Sequence, residues 1–339
     1  MAKKLMQGDE AIAEGALKAG MSFFAAYPIT PASEIMHHLA KVQSLNFVHA
    51  EDEIASINMI IGASMAGAKA MTSSSGPGIS LKQEGIGYAH MTETPVVIVN
   101  IQRVGPATGM PTMPNQADLM QCKYGTHGDV FPIVFYPNSV EECYKHTIEA
   151  FNAAEESLSP VFLLCDGFIG QLYEAVDLSA IEVKTKERSK ISLGKGIGHI
   201  TGLLSENGIP KTKHPSYYKK WIKRIKEKID DAAKNYAFYE YIPNKKSDTL
   251  LIAYGITSRV VLPLKDRYSI FRPIRIFPLL ENELKEISKK YKKIVVIEMN
   301  EGQYKNEVER ILKREIRFIN STGGEVKLSY IEGELKKIK

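Results

Sequence analysis

With 339 residues, 44% of them hydrophobic and 24% charged, the chain has the composition of an ordinary globular protein of two or three domains, which excludes general disorder and a fibrous repeat. Its three cysteines, Cys122, Cys143 and Cys165, form no CxxC pair, so neither a disulfide framework nor an iron–sulfur or zinc site is encoded by spacing. The net charge of +5 divides into 9 Lys+Arg against 19 Asp+Glu over residues 1–180 and 35 against 20 thereafter, so the two halves are different objects.

The longest apolar run, around Pro95 to Ile101, is far shorter than a membrane span, and the opening Met1-Ala2-Lys3-Lys4 has no apolar signal core. A cytoplasmic protein without a membrane partner is expected. The lysines of the basic half are dispersed among Ile, Glu and Tyr, which reads as a solvated face, and no nucleic-acid-binding motif accompanies them.

In chain order, residues 1–180 alternate β-rich apolar runs (22–26, 47–50, 68–72, 95–102, 131–136 and 160–165) with helical patterns (10–19, 31–42, 53–66, 80–91, 115–121 and 139–154). This is the pattern of a doubly wound parallel sheet with crossover helices. A connecting excursion, 181–247, carries Gly194, Gly196, Gly198, Gly202 and Gly208 and one polar helix pattern over 217–236. Strand patterns at 250–254, 274–277 and 294–297 alternate with helices, so a second, smaller α/β domain is expected over 248–339.

Four segments could carry chemistry, each at the end of a predicted strand, where open α/β sheets bind ligands. In Tyr27-Pro28-Ile29-Thr30-Pro31, Pro31 suits the first helical position and Thr30 becomes its cap, a place for a small anion or simply a cap. Glu51-Asp52-Glu53 precedes an apolar helix; the carboxylates either complement the helix dipole or exchange a proton with a bound heterocycle. Thr72-Ser73-Ser74-Ser75-Gly76-Pro77-Gly78 is only loosely like a phosphate loop and fits a tight turn or a close approach to a flat ligand. Arg103, the only arginine of the first 180 residues, follows the most apolar strand; bidentate carboxylate recognition and an internal ion pair are both open.

Together, YPITP (Tyr27 to Pro31), EDEIASI (Glu51 to Ile57), GASMAGAKAMTSSSGPG (Gly62 to Gly78), QRVGPATGMPT (Gln102 to Thr112), THGD (Thr126 to Asp129) and VIEMNEGQ (Val296 to Gln303) resemble the alpha subunit of the 2-oxoacid:ferredoxin oxidoreductases. The resemblance implies a pyrimidine-binding domain for thiamine diphosphate followed by a domain similar to the transketolase C-terminal one. It implies that Glu53, nine residues before Gly62, contacts N1′ of the cofactor's aminopyrimidine. Tyr27, Pro28, Ser75 and Gly76 are then cofactor-binding, and Thr30 and Arg103 bind the 2-oxoacid carboxylate. Gly128-Asp129 is followed by Val130 and by no downstream asparagine pair, so Mg²⁺, the diphosphate and a [4Fe–4S] cluster are expected on a beta subunit, with a gamma subunit and a ferredoxin-like delta subunit beside it.

The implied reaction is coenzyme A-dependent oxidative decarboxylation with electrons passed to ferredoxin. Gly105 to Asp118 looks most like 2-oxoglutarate enzymes, while Lys3 to Met6 and Ile79 to Glu84 look more like branched-chain 2-oxoacid (2-oxoisovalerate) enzymes; 2-oxoglutarate is the expected substrate. Lys123 and His127 are candidates for a second substrate carboxylate. A non-catalytic subunit docking an acidic partner such as ferredoxin is the competing expectation from another class.

Overall fold

The apolar runs of the first 180 residues gather into one sheet, whose seven-strand path is Arg275–Phe277, Ile133–Phe135, Val161–Asp166, Val97–Val104, Ala70–Ser74, Phe23–Ala26 and Asn46–His49. All neighbours pair in parallel except the first, and Met110–Pro114 adds an antiparallel strand to Val97–Val104. The computed structural model describes residues 3–188, 200–206 and 209–338; the glycines from Gly194 to Gly198, and Gly208, lie outside them.

The central strands are apolar on both faces because both faces are covered by helices. Val97, Val99 and Ile101 pack into a core shared with the helices Gly8–Lys18, Ser33–Leu39 and Val140–Ser157. Val96 and Ile98 point the other way, toward the helices Glu53–Met65 and Gly76–Met91 and toward the second lobe. The period-2 alternation thus sorts one strand between two cores. Sequence reading missed the short antiparallel ribbon of Lys4–Gln7 with Tyr173–Val176, whose strands are four residues each.

The second sheet runs Tyr239–Ile242, Ser269–Pro273, Thr249–Ala253, Lys293–Glu298 and Arg317–Asn320, parallel apart from its first pair. The strand expected at 274–277 forms at Arg275–Phe277, but it belongs to the first sheet, and Ser269–Pro273 takes its place in the second. Burial explains the switch: Ile276 and Phe277 join Val134, Tyr136 and Phe162 in one apolar cluster, covering the open edge of Ile133–Phe135.

The polar helix pattern of the excursion is the helix Pro215–Lys234, which buries Ile225, Ile229 and Ala233 against the first lobe and leaves Lys219, Lys220, Lys223 and Lys226 exposed. It is anchored by Arg224 and Lys228, which both grip Glu93. Burial raises the cost of a charged Glu93, yet the hydrogen bonds and charges of Arg224 and Lys228 outweigh it and hold the carboxyl at about 2. A carboxyl depressed in the folded state stabilises above its ordinary range and loses that contribution as pH falls toward 2. Glu93→Gln is therefore expected to cost about 3 kcal/mol at pH 7 and almost nothing near pH 2. Urea unfolding of wild type and variant across that range checks it; parallel curves at every pH contradict the assignment.

Candidate active site

The three carboxylates that follow Asn46–His49 take different roles. Glu51 is exposed, and Asp52 caps the helix Glu53–Met65 by accepting from the Ala55 amide at 2.7 Å. Glu53, in the first turn, is only 6% exposed and turns toward the start of the neighbouring helix Gly76–Met91. A Cβ on Gly78 there would lie 2.5 Å from Glu53 Oε1 and 2.1 Å from Ser74 Oγ, so only glycine admits the carboxyl to this position. Behind Glu53, the buried Lys82 donates to the Ser56 hydroxyl at 2.5 Å and to the Glu53 carbonyl at 3.2 Å.

The Tyr27–Pro31 segment differs from expectation. A turn closed by the Ala32 amide on the Ile29 carbonyl delays the helix to Ser33, so Ala32 and not Thr30 occupies its cap, and Thr30 is exposed. Thr30 reaches the site through its backbone instead: its carbonyl accepts from Arg103 Nη1 at 2.7 Å. The sequence-predicted pair Thr30 and Arg103 is thereby brought together. Tyr27 is exposed with its ring 6.4 Å from that of His49, and Pro28 beside it is half-buried.

The helix expected at 80–91 starts four residues earlier, at Gly76, with Ser75 as its cap residue and Pro77 in its first turn. A cavity of about 540 Å³ opens at this start, lined by Gly76, Ser80, Arg103, Asp118 and Gln121 with the 105–107 turn. Among the described residues, the buried hydroxyls of Ser74 and Ser75, and Arg103 Nε, have no hydrogen-bond partner. One helix start therefore separates two places: Gly78 faces Glu53, while Gly76 and Ser80 face Arg103.

The cavity wall opposite Gly76 is Asp118, which sequence reasoning missed. Its carboxyl accepts from Asn100 Nδ2 at 3.0 Å, and its amide donates to Gln102 Oε1 at 2.9 Å. Burial pushes this carboxyl up to about 6, against the hydrogen bond from Asn100 and the charge of Arg103. A readable signal existed: Asn100, Gln102 and Arg103 are the polar residues of an otherwise apolar strand, Val97–Val104, and buried polar groups mark partners. The helix expected at 115–121 is confined to Leu119–Tyr124, leaving 115–118 as the loop that presents Asp118.

VIEMNEGQ does not reach the cavity; it braces that loop from the second lobe. Glu298 accepts from the Tyr254 hydroxyl at 2.7 Å and from the amides of Tyr304 and Lys305. Asn300 donates to the Gln116 carbonyl at 2.7 Å, and Gln303 donates to the Ala117 carbonyl at 2.6 Å while accepting from the Met120 amide at 3.0 Å. Asp166, pushed up to about 6 by burial against four hydrogen bonds, joins the lobes by accepting from the Ile256 amide at 2.9 Å.

Two further candidates fall outside the cavity. Lys123 is engaged by Glu307 of the second lobe at 2.6 Å, and exposed His127 lies 3.4 Å from Glu84, in the THGD segment whose Asp129 accepts from Tyr218. Neither supplies a second cation beside Arg103.

Residues 14–234 match a family profile described as pyruvate flavodoxin/ferredoxin oxidoreductase, thiamine diphosphate-binding, and residues 247–329 match pyruvate:ferredoxin oxidoreductase core domain II. The fold alone is shared with a split-gene transketolase at a TM-score of 0.60 and 14% identity, over 98% of this chain and 97% of that one. The class is thus a thiamine-diphosphate-binding α/β domain with a smaller α/β lobe behind it. The 2-oxoglutarate synthase subunit KorA of Archaeoglobus fulgidus is 41% identical over 99% of this chain and 100% of its own. A ketoisovalerate oxidoreductase subunit VorB of Methanothermobacter marburgensis is 33% identical over 96% of this chain and 94% of its own. A solved 2-oxoglutarate:ferredoxin oxidoreductase from Magnetococcus marinus, with 2-oxoglutarate, coenzyme A and succinyl-CoA bound, superposes at a TM-score of 0.92 with 29% identity, covering 99% of this chain. This chain spans 65% of that one's length. The chain belongs to the 2-oxoacid:ferredoxin oxidoreductase family, as an alpha subunit.

Among the described residues, no helix is long and apolar enough to cross a membrane.

Proposed function

We propose that the chain is the alpha subunit of a 2-oxoglutarate:ferredoxin oxidoreductase, active only with partner subunits. The balanced reaction is 2-oxoglutarate, coenzyme A and two oxidised ferredoxins to succinyl-CoA, CO₂, two reduced ferredoxins and a proton. The carrying observation is that one helix start, Gly76–Gly78, has the buried carboxyl of Glu53 on one flank and the Arg103 cavity on the other. The relatives named above support 2-oxoglutarate, since identity is 41% to the 2-oxoglutarate synthase subunit and 33% to the ketoisovalerate one.

The residues present suit the pyrimidine half of thiamine diphosphate. Gly78 lets the Glu53 carboxyl approach the helix start, and beside it the buried hydroxyls of Ser74 and Ser75 have no hydrogen-bond partner among the described residues. When bound, the cofactor supplies the nucleophilic carbon for the 2-oxo group and takes up the electron pair released with CO₂. Glu53 would share a proton at the ring nitrogen N1′, and Tyr27, Pro28, Ser75 and Gly76 would help to hold the ring. Arg103, with Nε free and Nη1 fixed on Thr30, presents its remaining donors to the substrate carboxylate.

The diphosphate, its Mg²⁺ and a [4Fe–4S] cluster are assigned to a beta subunit, accompanied by gamma and delta subunits. Exposed Ile54 and Leu81, the neighbours of Glu53 and Lys82, offer an apolar face for the beta subunit to cover. A cytoplasmic location follows from the ferredoxin chemistry proposed.

The test is reduction of ferredoxin or methyl viologen by the complex purified with its native partners, with coenzyme A and a panel of 2-oxoglutarate, pyruvate, 2-oxoisovalerate and indolepyruvate. Activity of the complex, none of the isolated chain, and 2-oxoglutarate as the fastest substrate are expected. A faster rate with 2-oxoisovalerate would move the protein to the branched-chain reading, and no reduction with any 2-oxoacid would sink the family chemistry.

A further inference from the structure

Lys82 is a charged side chain with no water contact, 0% exposed in the interior of the helix Gly76–Met91. Buried ammonium groups are costly unless paired, so its position calls for a physical reason. Its place on the helix supplies the first part. Gly78, Lys82 and Gly85 lie four and three residues apart, on one helical face, and this is the face turned to the helix Glu53–Met65.

Both glycines are contact points between the two helices. A Cβ on Gly85 would lie 2.7 Å from Ile57, as one on Gly78 would strike Glu53. The helices are clamped at these two points, and the lysine side chain is threaded between them. There it meets the first turn of the partner helix: Nζ bonds to the Ser56 hydroxyl and the Glu53 carbonyl, and the Ser56 hydroxyl itself donates to that carbonyl at 2.9 Å. A lysine has three donors and no acceptor, so this triangle is matched only with the amine as a donor.

The charged groups acting on Lys82 are Glu53 and Asp52, both on the facing helix. Burial pushes the ammonium down to about 8, while those two carboxylates pull it back up, so at neutral pH it carries its proton.

We infer that Lys82 is a positioning residue for Glu53: its bonds to the Ser56 hydroxyl and the Glu53 carbonyl tie down the helix turn that aims the carboxyl at the aminopyrimidine. This rests on the reading of Glu53 as the cofactor's proton partner. Lys82 touches neither cofactor nor substrate and acts through Glu53 alone.

The test uses the complex with its native partner subunits, carrying Lys82→Met, Lys82→Arg or Glu53→Gln. Thiamine diphosphate affinity is measured by calorimetric titration of cofactor-stripped complex, beside kcat and KM for the 2-oxoacid. For Lys82→Met a dissociation constant at least fivefold weaker is expected, with kcat at least tenfold lower and KM for the 2-oxoacid little changed. Lys82→Arg, which restores the donors with a bulkier head, should recover part of the rate and of the cofactor affinity. An assembled Lys82→Met complex with wild-type affinity and kcat overturns the inference. If the methionine variant fails to assemble, Ser56→Ala, which deletes one acceptor of the ammonium, is read the same way, a severalfold weaker cofactor supporting the inference and an unchanged one overturning it. Glu53→Gln separates the two levels. If it leaves cofactor affinity and rate intact, the Glu53 reading fails; if it is crippled while Lys82→Met is not, only the inference fails.

Discussion

Glu53→Gln in the complex with its native partners should lower kcat at least 10²-fold, about 2.7 kcal/mol of transition-state stabilisation, with little change in KM for the 2-oxoacid. Glutamine keeps the volume that Gly78 admits, so the two-helix contact survives, and turnover is read per folded complex because losing the charge that faces buried Lys82 also lowers stability. What the amide loses is the ability to take up and return a proton at the pyrimidine nitrogen. A carboxylate with a structural role alone would leave turnover per folded complex preserved. Nearly intact turnover would favour the reading in which this chain only docks an acidic partner. Steady-state ferredoxin reduction, paired with a melting curve, distinguishes these outcomes.

The second large effect belongs to Arg103. Arg103→Lys keeps the charge but loses the planar fork, and a single ammonium cannot hold the Thr30 carbonyl and a substrate carboxylate with the same geometry. Two charge-assisted hydrogen bonds are affected, at about 1.5–3 kcal/mol each, so kcat/KM for 2-oxoglutarate should fall about 10²-fold or more. The loss should sit mainly in KM, because the carboxylate is bound in the ground state too. Initial rates over a wide range of 2-oxoglutarate concentration measure it, and a wild-type KM would remove Arg103 from the substrate site. Acid titration adds a check: Asp118, held up to about 6 beside Arg103, gains its proton as pH falls through that value, leaving the guanidinium without its counter-charge.

How far the sequence led depended on whether a signal was local. The six strand patterns of the first lobe were legible because buried parallel strands are nearly continuous apolar runs, and Glu53 and Arg103 stood out at strand ends. Thr30 was expected to cap a helix, but the turn from Ile29 to Ala32 displaces that helix, and the residue's carbonyl accepts from Arg103 where a capping hydroxyl was expected. Asp118 was hidden because its burial comes from the second lobe's grip on the 115–120 segment, a contact spanning more than 180 residues of chain. Lys82 was hidden by its type, since a lysine on a helix normally reads as solvated; only the flanking Gly78 and Gly85, at helical spacing, betray the buried face. The strand at 274–277 was recognised as a strand, but nothing local says which sheet it joins.

That strand has a consequence for the order in which the protein can be made. Ile133–Phe135 emerges from the ribosome long before Arg275–Phe277, and until the later segment arrives its outer edge has no partner. An apolar Ile-Val-Phe edge with free amides and carbonyls is the template on which nascent chains stick to one another. The first lobe cannot close on its own during translation: it must wait for about 140 further residues, three strands of the second sheet among them, before its edge is sealed. The interlocked sheets thus make the late-synthesised half a built-in guard against aggregation of the early half, and a premature stop between the lobes would release a sticky fragment rather than a working domain.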